Sequence, residues 1–168
     1  RNTHRLIVFA PIRFGGCGFL SLFMIQGEGQ ILAFLKHWRT DTDASRLLRI
    51  AVSWTQLHLG TSFCFLKDTT TILPHMPGRW LKSLRSFLAS INGSLELDKE
   101  YLPPIQRHGD VYIMDMVLHV GCFSESEIRQ INHCRMYLQA ITMSDIVLAD
   151  GVTLDQDMLL GNPGTHSS

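Results

Sequence analysis

Apolar residues recur at steps of three and four in five separate windows of the chain. That period matches one face of an α-helix and conflicts with the two-residue alternation of a strand. It points to a mainly α, irregular domain of about five helices, with a few short strands or hairpins. The longest window, roughly Leu20–Arg39, carries a stripe of Leu20, Phe23, Met24, Gly27, Ile31, Phe34, Leu35 and Trp38. Gly27 on that stripe permits close approach of another helix, at a propensity cost of about 1 kcal/mol against Ala. Lys36, His37 and Arg39 fill the last turn, where the helix dipole favours cations.

The other windows have recognisable ends. Asp41, Thr42 and Asp43 offer capping oxygens to a second helix, about 43–59, whose apolar face is Leu47, Ile50, Ala51, Trp54 and Leu57 and whose natural stop is Gly60. A third helix, about 79–92, turns Trp80, Leu84, Phe87, Leu88 and Ile91 inward. A fourth, about 110–120, carries Ile113, Met116, Val117 and Val120 and ends at Gly121. Ser124-Glu-Ser-Glu127 then spells a capping box, with Phe123 and Ile128 as its hydrophobic staple, and a fifth helix runs from there to about Gln139. Leu6–Ile12 reads as a short strand or extended lead-in, and Phe63–Leu66 and Leu95–Leu97 as short strands. Pro103-Pro104 is the best internal breakpoint, so the chain reads as one helical module over 1–160 with a sub-boundary near 98–108. The Gly/Ser/Pro-rich stretch 161–168 reads as a flexible tail.

Several classes drop out. At 168 residues and 45% apolar composition the chain is large enough to bury a core. Its most apolar window, Phe19–Leu35, holds Gln26, Glu28 and Gln30 and falls short of the about 20 residues a membrane-spanning helix needs, which argues against a membrane partner. No secretory signal is evident, because Leu6–Ile12 is short and runs into Arg13 and a glycine cluster. Four cysteines are too sparse for a disulfide scaffold and suit an intracellular, reducing compartment. A chain opening on Arg1 rather than Met reads as a piece of a longer polypeptide.

Motifs for chemistry are weak. His119, Cys122, His133 and Cys134 include an H-x-x-C pair, but adjacent His133 and Cys134 on a helix diverge by about 100°, so the expectation is buried structural residues and no metal. Gly15-Gly16-Cys17-Gly18 lacks the Gly-Lys-Ser/Thr of a phosphate loop and reads as a tight turn. No nucleophile elbow or cofactor motif stands out. Trp38, Trp54 and Trp80 lie on apolar stripes and are expected in the core.

Charge carries more. Formal charges cancel at 15 basic against 15 acidic residues, yet residues 1–92 hold 11 basic and 4 acidic while residues 93–168 hold 4 and 11. Lys36 and Arg39 close the first helix, Arg46 and Arg49 sit three apart on the second, and Arg79, Lys82 and Arg85 step by three along the third. Rows of this kind hold phosphate backbones without reading sequence. A solvated helix face is the alternative reading.

Phe14-Gly-Gly-Cys-Gly-Phe19 and the helical window after it resemble the segment beyond the thumb in reverse transcriptases of non-LTR (LINE-like) retrotransposons, where a G-G-x-G-[LFI] turn opens a helix. Leu48–Gln56, Pro74-His75, Trp80–Phe87 and Pro103–Arg107 are similar to later family segments. So is Arg135-Met-Tyr-Leu138 leading into Thr142–Ile146 and Asp150-Gly151. The likeness spans about residues 11–155, and the order of its pieces carries it. Cys17 stands where Leu is usual. The resemblance marks Gly15, Gly16 and Gly18 as the motif turn. It implies a noncatalytic piece of an RNA-directed DNA polymerase that grips an RNA template or RNA–DNA hybrid, or connects the polymerase to later domains. The family's active-site signature ends in two consecutive Asp, which this chain lacks. Tyr112–Met116 places Met116 at the second position, and two-metal phosphoryl transfer needs clustered carboxylates. The competing expectation is a helical protein-interaction or scaffold module. An independent small-molecule enzyme has no polar constellation behind it.

Overall fold

The computed structural model describes residues 5–19 and 21–160. Leu20 of the first stripe and the 161–168 tail lie outside them. The helices are α1 (Arg5–Phe9), α2 (Leu22–Arg39), α3 (Asp43–Leu59), α4 (Trp80–Ser90), α5 (Ile113–Val120), α6 (Glu125–Tyr137) and α7 (Gln156–Leu159), with 3-10 turns at Ile12–Phe14 and Met143–Asp145. Five of them, α2 to α6, are the five that the apolar period predicts. Among the described residues no strand forms, and two isolated antiparallel bridges, Tyr112 to Thr142 and Val147 to Leu154, are the only strand-like pairings. No described helix is long and apolar enough to cross a membrane.

Neither Phe63–Leu66 nor Leu95–Leu97 forms the short strand expected of it, and Leu6–Ile12 is neither strand nor extended lead-in. Leu6–Ile12 instead enters α1 and the Ile12–Phe14 turn, because the chain folds back on itself at the glycines. The amides of Cys17, Gly18 and Phe19 donate to the carbonyls of Ile7, Ala10 and Val8 at 2.9, 2.9 and 3.2 Å. Gly15 and Gly18 adopt φ of +79° and +66°, and a Cβ on Gly16 would stand 2.0 Å from the Ala10 carbonyl oxygen. Each glycine of the turn is therefore required, two for left-handed backbone and one for close approach. Phe63–Leu66 is an irregular turn that buries Cys64, Phe65 and Leu66. Leu95 donates one backbone bond to the Leu66 carbonyl at 2.8 Å and pairs no further.

Helix ends follow local chemistry. Thr42 takes the capping role at α3, its hydroxyl accepting from the Ser45 amide at 3.3 Å. At α6 the capping box is complete. The Glu127 amide donates to the Ser124 hydroxyl at 3.4 Å, and the Ser124 amide donates to the Glu127 carboxylate at 2.7 Å. Left-handed Gly60 and Gly121 stop α3 and α5.

The chain divides into two compact units, Arg1–Leu48 and Arg49–Ser168. The segment 98–108, expected as a boundary, lies inside the second. It is stitched there by the Tyr112 hydroxyl donating to the Pro103 carbonyl at 2.6 Å and by Arg107 donating to the Leu148 carbonyl at 3.3 Å. In the first unit Phe34 is fully buried and stacks on Trp38, ring centres 5.4 Å apart. In the second, Leu81, Leu84, Phe87 and Leu88 of α4, Met114 and Val117 of α5, and Cys64, Phe65 and Leu66 of the 61–79 segment are buried.

Candidate nucleic-acid interface

α4 has a clear inside and outside. Its buried face leaves Arg79 and Lys82 exposed, and neither takes part in an ion pair among the described residues. Arg85 continues the three-residue step but not the exposed row. Each step of three falls about 60° short of a full turn, so after two steps the row has rotated about 120°, onto the edge of the core. There Arg85 is half-buried. It donates to the carbonyls of Phe65 (2.9 Å), Asp68 (3.0 Å) and Thr71. Its guanidinium organises the 65–71 loop. Asp68 of the same loop is partly buried, which opposes its ionisation. The hydroxyls and amides of Thr71 and Thr70 donate to it and hold its carboxyl at about 2.

The other sequence-predicted cations are dispersed. Lys36, Arg39 and Arg46 belong to the first unit, and Arg49 opens the second. Lys36 and Arg39 are exposed at the end of α2. Arg46 is exposed and faces Asp41 at 3.7 Å and Asp43 at 3.5 Å, contacts of little energetic weight in water. Arg49 is half-buried. Arg129 of α6 is a cation that the row pattern does not pick out, although Glu125 four residues earlier marks an i,i+4 surface pair. Its Nη2 meets Glu125 at 2.8 Å and its Nε donates to the Pro74 carbonyl at 3.0 Å.

A buried polar hub closes the end of α3. Arg135 is 4% exposed and has no carboxylate among its hydrogen-bond partners. It donates to the carbonyls of His58 (2.6 Å), Leu57 (3.3 Å) and Ala140 (3.1 Å) and to the Asn132 side chain. Burial lowers its pKa to about 10. The bonds to Leu57 and His58 satisfy carbonyls at the end of α3 that would otherwise be orphaned, and a Cβ on Gly60 would collide with the guanidinium at 2.6 Å. Gln56, fully buried, donates to the Phe63 carbonyl at 2.8 Å and accepts from the Phe65 amide at 3.3 Å. His75 places Nε2 3.2 Å from the Leu59 carbonyl, which assigns the proton to Nε2, and its buried Nδ1 has no partner. Burial lowers the His75 pKa to about 4. The same cause, and after it the Arg135 charge, lowers that of His58.

Three sequence expectations are corrected here. The face of α3 that reads as core is exposed: Leu47 (66%), Ile50 (63%) and Trp54 (52%) stand out, while Ser45, Val52, Thr55, Gln56 and Leu59 are buried. Trp54 on that face and Trp80 at the start of α4 are surface residues, and Trp38 is half-buried. His119, Cys122, His133 and Cys134, expected inside, are not buried, because α5 and α6 bury Met114, Val117, Asn132 and Arg135 instead. Among the described residues no three His, Cys, Asp or Glu are grouped to hold a metal. Asp115, the carboxylate of the Tyr112–Met116 segment, accepts from the Ser62 amide at 3.1 Å and so pins the 61–79 segment to α5.

No protein-family model matches the chain, and no curated protein or solved structure matches it either.

Proposed function

We propose that the chain is a noncatalytic nucleic-acid-binding segment of a retroelement reverse transcriptase, holding template, primer or their hybrid through phosphate contacts. The observation that carries this reading is the exposed pair of Arg79, at the N-cap of α4, and Lys82 on its first turn, free of acidic partners, with Arg129 as a further cation of the same unit. Lys36 and Arg39 supply a second exposed pair in the first unit. The ordered family-like segments and the glycine turn add to it. Arg85 is left out, since its guanidinium is committed to loop carbonyls.

The test is a fluorescence titration against RNA–DNA hybrid at several salt concentrations. Engagement of Lys36, Arg39, Arg79 and Lys82 gives a log–log salt slope of about −3 to −4. Arg79→Glu with Lys82→Glu weakens binding to every sequence alike, because phosphate contacts carry no base information. Affinity indifferent to salt, or a folded double variant that binds like wild type, moves the reading to a scaffold module. One feature favours that second reading: Ile50, Trp54 and Leu57 form an exposed apolar stripe along α3. Under the first reading the rest of the parent polypeptide covers it.

A further inference from the structure

The second unit contains a cleft of about 460 Å³ whose walls come from the end of α3, the 74–77 loop, α4 and α6. That volume falls in the range of small-molecule sites. Its lining divides by chemistry. Lys82 and Arg129 are its cationic side chains, and His58, His133 and Asn132 supply further polar groups, with no carboxylate among the residues that line it. Met76, Pro77 and Met136 supply a polarisable apolar wall. His75 also lines the cleft, 5% exposed, with Nε2 engaged at Leu59 and the buried Nδ1 lone pair unpartnered.

A cation pair beside thioethers suits a ligand with an anionic end and a flat aromatic end. Lys and Arg take the anion. Thioether sulfur makes favourable contacts with aromatic rings. We propose that this cleft seats one unpaired nucleotide of the bound strand, its phosphate on Lys82 and Arg129 and its base against Met76, Pro77 and Met136. The proposal rests on the nucleic-acid reading above and deepens it: the strand is gripped at one unstacked nucleotide as well as along its backbone. Arg129 is shared with Glu125, so Lys82 is the freer phosphate ligand.

The experiment titrates the full 168-residue chain with adenosine 5′-monophosphate, and separately with inorganic phosphate and with adenosine, while monitoring the Met76 and Met136 methyl and His58 and His133 ring resonances. The monophosphate shifts both sets saturably, and phosphate alone shifts the rings but not the methyls. Lys82→Ala weakens the monophosphate at least fivefold. Met136→Ala weakens it at least threefold and leaves phosphate unchanged. Lys67→Ala, whose side chain pairs with Glu96 and Glu100 away from the cleft, stays within twofold. Methyls that ignore the monophosphate, or equal affinity for phosphate and monophosphate, overturn the nucleotide site. Salt-dependent hybrid binding alongside an unresponsive cleft defeats this inference and leaves the broader reading standing. Monophosphate in the cleft with salt-indifferent hybrid affinity defeats the strand reading, and this inference with it, and leaves a pocket for a free nucleotide.

Discussion

Acidification should destabilise the second unit through His75 at a higher pH than the one at which Asp68 is protonated. The imidazole is buried, donates from Nε2 to the end of α3, and has its pKa lowered from 6.5 to about 4. A histidine held neutral in the fold takes up a proton more readily when unfolded, so the unfolded state binds more protons between these values. Stability is complete above pH 6.5 and falls as the pH drops toward 4. The full gap is worth roughly 3 kcal/mol, and about 2 kcal/mol is lost by pH 5. His75→Gln retains an N–H donor for the Leu59 carbonyl and removes the titration. Urea midpoints at pH 7.5, 6 and 5 should therefore fall steeply for the native chain and by about 2 kcal/mol less for the variant. Comparing the two isolates His75 from His58, which is also depressed. Asp68, held at about 2, contributes its own loss only at lower pH, as its carboxylate protonates. Parallel profiles for the two proteins between pH 7.5 and 5 would refute the holding of a neutral His75 in the fold.

Gly60→Ala places a Cβ at φ +61° and 2.6 Å from a guanidinium that three carbonyls hold still, so we expect a loss of about 3 kcal/mol or more in urea unfolding. Arg85→Ala strips donors from three loop carbonyls and costs about 2–4 kcal/mol; at a temperature where the variant remains folded, its affinity for RNA–DNA hybrid stays within twofold of wild type. Gly16→Ala opens the turn after α1, because the Ala10 carbonyl occupies the space of the new Cβ. Amide exchange at Cys17 and Gly18 should then accelerate at least a hundredfold, and unchanged protection would show that the turn tolerates a side chain.

What the sequence determines by itself is local. The 3.6-residue period locates five helices, and the residues at their ends stop them, because a cap is a bond between neighbours. Ser124 and Glu127 close a box four residues long whatever packs around it. Gly60 and Gly121 end helices because no other residue adopts their backbone angles as cheaply. The row of cations is legible in the same way up to Lys82, where the drift of the three-residue step carries Arg85 toward the core.

Tertiary structure decides which face a helix buries where the buried positions are not all apolar, as on α3. Positions 52, 55, 56 and 59 on α3 have the spacing of a buried stripe, but two of them are Thr and Gln, so an apolar pattern passes over them in favour of Ile50, Trp54 and Leu57. Gln56 is buried because the irregular turn after α3 leaves backbone groups of Phe63 and Phe65 that need partners. Arg135 is buried because the carbonyls of Leu57 and His58, 78 and 77 residues away along the chain, converge on it together with that of Ala140. A buried polar side chain is stable only where its partners are already in place. Phe63 and Phe65 are near Gln56 in sequence, but only the folded turn aims their backbone groups at it, and Leu57 and His58 reach Arg135 only in the assembled fold.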